Sequence, residues 1–60
     1  MTKDEAIKQA RVRMMEPGRP ARYVIVKDRD RDDYDWIPEA YLSDTSYTGS
    51  RQVVEWLRRN

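Results

Sequence analysis

Five aspartates and three cations surround two aromatic rings in the stretch Lys27-Asp28-Arg29-Asp30-Arg31-Asp32-Asp33-Tyr34-Asp35-Trp36. Counted from Asp28, the acids follow part of a calcium-loop pattern. Asp28, Asp30 and Asp32 take positions 1, 3 and 5 of a twelve-residue loop, and Glu39 takes position 12. Calcium needs several hard oxygen ligands, and a closing glutamate supplies two of them. The other positions depart from that chemistry. Asp33 stands where a glycine makes the sharp turn, Asp35 stands at an ordinarily apolar position, Pro38 precedes the closing acid, and Arg29 and Arg31 repel a cation. Asp28, Asp30, Asp32 and Glu39 are therefore weak metal candidates, and no cofactor is expected.

The alternating signs also suit a solvated hairpin loop, since Asp and Arg keep a turn in water and relieve each other's repulsion. Loop tips on a rigid sheet are places where small proteins recognise partners. Arg29, Asp30, Arg31, Asp32 and Asp33, with Tyr34, Trp36 and Tyr41, form the expected partner-binding set. A polyanion mimic is a third reading. It needs a stronger field than this stretch supplies, because the two arginines dilute its aspartates.

Arginine is the second chemical resource: nine arginines stand against three lysines. Paired with tyrosine and tryptophan, arginine grips phosphates and stacks on bases. The same pairing is enriched at protein–protein hot spots. Arg11, Arg13, Arg19, Arg22, Arg58 and Arg59 are the candidates for a nucleic-acid surface. No RNA-recognition signature, glycine-rich phosphate loop or helix-turn-helix spacing accompanies them. Charge is divided along the chain. Residues 28–44 hold seven acids against Arg29 and Arg31, and the cations are concentrated in the remainder.

Composition excludes several classes outright. Cysteine and histidine are absent, which removes disulfides, thiolate or imidazole zinc sites, and serine–histidine or cysteine–histidine catalysis. Adjacent Asp32 and Asp33 would point to opposite sides of an extended chain, so they are no ready acid–base pair. An enzyme is not expected. Sixty residues make a single domain, 1–60, of a size that buries only about 60% of its unfolded surface. Oligomerisation or a partner is a usual support for so thin a core, and a homodimer is a companion expectation. No apolar run resembles a signal sequence or a membrane span, so a soluble cytoplasmic protein is expected.

The elements that would position these residues are legible. Thr2-Lys3-Asp4-Glu5 is a capping-box pattern that opens a helix running to about Met15, with Ala6, Ile7, Ala10 and Met14 on one face. Pro17-Gly18-Arg19-Pro20 stops it. Ala21 to Lys27 is the clearest strand, and its run Tyr23-Val24-Ile25-Val26 suggests a strand covered on both faces or central in a sheet. Tyr34 to Ile37 is a second short strand, Pro38 to Leu42 a single helical turn, and Thr45 to Ser50 a loop. Arg51 to Asn60 reads as a strand, with a helix as the alternative. The fold class is α+β: one N-terminal helix packed on a small antiparallel β-meander, α-β-β-turn-β, or α-β-β-α if the last segment is helical. Trp36 and Trp56 are expected to supply core bulk, at least one of them, and a partly exposed tryptophan would mark an interface.

The function expected from these features is a small non-enzymatic module that binds a macromolecule, foremost another protein. In size and charge it looks like the accessory and inhibitor proteins of phages and mobile elements. The alternative is a nucleic-acid accessory protein using the arginine-rich surface.

Overall fold

The computed structural model describes residues 1–43 and 49–59. Of the expected loop from Thr45 to Ser50, all but Gly49 and Ser50 lies outside the described residues. Helix α1 spans Lys3–Met14. Thr2 caps it as the sequence predicts, its hydroxyl accepting the Glu5 amide at 3.2 Å. The Glu5 carboxylate accepts from the Thr2 hydroxyl at 3.2 Å, where a capping box would have it accept from the Thr2 amide. Met15 ends the helix, its N–H directed at the carbonyls of Val12 and Arg13. Gly18 follows with φ of +79°, a left-handed backbone that glycine adopts without steric cost.

Three strands follow: β1 (Arg22–Asp28), β2 (Tyr34–Pro38) and β3 (Arg51–Arg58), with a 3-10 turn at Glu39–Tyr41 between the last two. The last segment is thus a strand and the arrangement is α+β, one helix on a three-stranded antiparallel sheet. The strand order is β2-β1-β3. A sequential meander would place β2 in the middle; here β1 is central and the residues after β2 carry the chain to the opposite edge. The physical reason lies in Tyr23-Val24-Ile25-Val26, all four of which are buried. Only a central strand covered on both sides can bury consecutive apolar residues.

Two thin cores result. On one face Tyr23 and Ile25 pack with Ala6, Ala10 and Met14 of α1 and with Leu57, while Ile7, Tyr34, Trp36 and Val54 pack around them. On the other face Val24, Val26 and Ile37 meet Leu42 and Val53. The small Ala6 and Ala10 let the helix approach the sheet closely, and Met15, beyond the helix end, points into solvent. A register shift between Ile25 and Val26 sets Glu55 opposite Ile25 and Val53 opposite Val26, so Val54 is the extra residue of a β-bulge. The bulge turns Val54 to the helix side and leaves Val53 and Trp56 on the other. No helix among the described residues is long and apolar enough to cross a membrane.

The backbone ends are tied in as well. The Arg59 N–H donates to the Ala21 carbonyl at 2.7 Å, and the Arg59 guanidinium donates to the Met14 carbonyl at 3.1 Å. A cation there satisfies an orphan carbonyl and complements the negative end of the helix dipole.

Two stability measurements test this account. Ile25→Ala should cost about 2–5 kcal/mol, close to the whole of the roughly 3–9 kcal/mol that a 60-residue domain holds. Its urea transition should begin at or near zero denaturant, whereas Met15→Ala should change stability by under about 0.5 kcal/mol. Arg59→Ala should lower stability by about 1 kcal/mol; an unchanged urea midpoint would remove the capping role.

Candidate functional site

The acidic loop is built into the hairpin. Residues 29–33 join β1 to β2 and are exposed. The Asp28 N–H donates to the Asp33 carbonyl at 3.0 Å, and the Asp30 N–H donates to the Asp28 carboxylate at 2.9 Å, an Asx-type turn. Lys27 Nζ donates to the carbonyls of Asp28 and Arg31 at 3.1 and 3.0 Å. The Met1 amino group pairs with the Asp33 carboxylate, and the Met1 carbonyl accepts the Tyr34 N–H at 2.8 Å. Asp35 lies 3.5 Å from Arg51. Asp28, Asp33 and Asp35 are therefore occupied in shaping the hairpin. Only Asp30 and Asp32 project without a side-chain partner among the described residues, with Arg29 and Arg31 beside them.

The calcium-like spacing is opened out by this hairpin. Glu39 sits past the far end of β2, 3.8 Å from Arg22. Arg22 and Asp28 are the two ends of β1, separated by roughly 20 Å at 3.3 Å per residue. Among the described residues, no three acidic side chains come together in a geometry that could hold a metal ion.

Most of the candidate arginines are likewise engaged. Arg13 lies over the Trp36 ring at 5.3 Å and 3.9 Å from Glu16. Arg19 pairs with Glu16 at 3.1 Å, Arg22 with Glu39, and Arg59 with the Met14 carbonyl. Arg11 and Arg58 make no ion pair or side-chain hydrogen bond among the described residues. Of the expected aromatic contacts, Tyr34 is half-buried against the helix-side core, and Tyr41 is exposed. Trp36 is a joint between helix and sheet. It meets Tyr23 edge-to-face at 5.7 Å, and its indole N–H donates to the Gln9 side chain at 3.0 Å. It is partly buried and packs against the helix-side core.

The structure singles out a different residue. Trp56 is 62% exposed. It stands opposite Val24 in the β1–β3 register, on the face turned away from α1, and Arg58 stands opposite Arg22. Arg22, Glu39, Trp56, Leu57 and Arg58 line an open cleft of about 380 Å³. Around the end of β3, Arg11, Met14, Met15, Arg58 and Arg59 line a second of about 290 Å³, where Met15 is 82% exposed. Arg58 lines both clefts and so links Trp56 to Met15; of the arginines around them, Arg11 and Arg58 lack an ion-pair partner among the described residues. The available signal was the spacing of Trp56 and Arg58, two apart on a strand and hence on one face. The expectation that at least one tryptophan is core and that an exposed one marks an interface left open which of the two it would be.

The contact between loop and amino group has a pH signature. The hydrogen bond from the Met1 ammonium holds the Asp33 carboxyl below its usual 3.8, and that same bond raises the amino group above its usual 8.0. The carboxylate's share of stability is present above pH 3.8 and fades as pH falls through the lowered value. The ammonium's share is present below pH 8.0 and fades as pH rises through the raised value. An NMR titration of the Asp33 carboxyl should show its midpoint below the usual 3.8, and acetylating the Met1 amino group should move it back up.

Compared with protein-family models, curated proteins and solved structures, the chain matches none.

Proposed function

We propose that this chain is a small non-enzymatic binding module whose partner is another protein, of the kind that phages and mobile elements use as inhibitors and accessory factors. The observation that supports the reading is the exposed Trp56 on a sheet face, beside Arg58 and continuous with Met15. Tryptophan, methionine and arginine are the residue types enriched in the centres of protein interfaces. A large apolar side chain left in water forgoes about 1.5–3 kcal/mol that burial against a partner would recover. A fold this short of core has every reason to bury such a ring internally, and it does so with Trp36.

The second reading, nucleic-acid binding, draws on Arg11 and Arg58, which lack carboxylate partners. Against it, Arg13, Arg19 and Arg59 of the same candidate surface are tied to Glu16 or a helix carbonyl. Few cations remain to follow a phosphate backbone.

Affinity capture from a bacterial lysate with the wild-type chain and with Trp56→Ala separates the two. The expected result is one stoichiometric protein that survives nuclease. Its affinity should fall at least about thirtyfold with Trp56→Ala, the scale of a hot-spot residue, while circular dichroism and the urea midpoint stay close to wild type. Capture that disappears with nuclease or moderate salt would put nucleic acid first.

A further inference from the structure

Arg22 and Arg58 stand directly opposite each other in the β1–β3 register, so both side chains lie on one face of the sheet. Like charges in that position destabilise a sheet. The one carboxylate in their cleft is Glu39, whose oxygen is 3.8 Å from the Arg22 guanidinium, beyond hydrogen-bond reach. Arg58 has no carboxylate partner among the described residues. Two guanidiniums therefore face one loosely held carboxylate, and the fold itself gains nothing visible from the second cation. Trp56 precedes Arg58 by two residues on the same face and lines the same cleft.

We propose that Arg22 and Arg58 form a clamp for a carboxylate on an acidic segment of the partner protein, with an apolar side chain of that segment lying on Trp56. This rests on the protein-binding reading above. The guanidinium fork matches a carboxylate geometrically, and Glu39 already occupies one side of the cleft as a carboxylate would. Charge complementarity selects the occupant. A phosphodiester chain would need further free cations in a row and would meet Glu39 in the cleft. A second copy of this chain would present its own acidic tip, where Arg29 and Arg31 flank Asp30 and Asp32 and would bring cations toward the clamp.

The probe is a synthetic peptide of six glutamates interrupted by a central leucine, compared with a six-nucleotide oligothymidylate at about 0.1 M salt, where screening acts over about 10 Å. Binding is read from the emission of Trp56, with Trp56→Phe identifying its contribution against that of Trp36. The peptide should produce a saturable change. Glu39→Gln, which removes the competing carboxylate, should tighten binding about threefold, and Arg58→Gln should weaken it about tenfold. These opposite directions are the signature, because damage to the fold would weaken both variants alike.

The clamp is overturned if the peptide does not saturate, if the two variants move the same way, if oligothymidylate binds more tightly, or if emission changes with protein concentration alone. A clamp that fails while lysate capture still depends on Trp56 leaves the protein-binding reading standing. Loss of that capture to nuclease removes both.

Discussion

The burial of β1 on both faces is the constraint from which the rest of the structure follows. Its four consecutive side chains from Tyr23 to Val26 alternate between two cores, so one stretch of backbone serves as the floor of each. For 60 residues this is an economical use of chain, because each ordered residue carries a conformational entropy cost whether or not its side chain is buried. It also makes the two cores interdependent. The helix cannot dock without Tyr23 and Ile25, and the far-side cluster has no centre without Val24 and Val26. The antiparallel neighbours follow from the same demand, since a central strand needs backbone partners on both sides.

Charge plays a different part. Exposed ion pairs are each worth at most about 1 kcal/mol, so the pairs between Arg19 and Glu16 or between Arg51 and Asp35 contribute little to stability. Their value is positional. Arg13 holds the upper face of Trp36, Arg59 closes the C-terminal end of α1, and the aspartates of the hairpin satisfy amides and the Met1 amino group. When these assignments are removed from the inventory of charges, two of the arginines left over lie beside exposed apolar side chains: Arg58 beside Trp56 and opposite Arg22, and Arg11 near Met15. The surface proposed to bind is made of side chains that the fold does not use.

Local signals in the sequence were reliable where the physics is local. The Thr2 cap, the end of α1 before Pro17, the β-forming run of β1 and the strand character of Val53, Val54 and Trp56 all depend on neighbours within a few residues. Strand order is less local, and the signal for it was the apolar run of β1, which suits a central strand with β2 and β3 on either side. The calcium-like spacing misled because it was counted along a chain that the hairpin folds back on itself, placing Asp28 and Glu39 at opposite ends of the sheet. The two tryptophans were indistinguishable by type. Their division into a packed joint and an exposed ring depends on which face of the sheet each occupies: Trp36 pairs with Ile25 on the helix side and Trp56 with Val24 on the other.

That bulge bears on a hazard common to small open sheets. β3 is an outer strand without proline or glycine inside it, the kind of edge that can template a neighbouring molecule and seed fibrils. Val54 interrupts the pleat midway along this edge and twists it, so an incoming strand would find its ladder broken after about half its length. The extra residue that sets Val53 on the same face as Trp56 therefore also breaks the edge that a neighbouring copy would pair with.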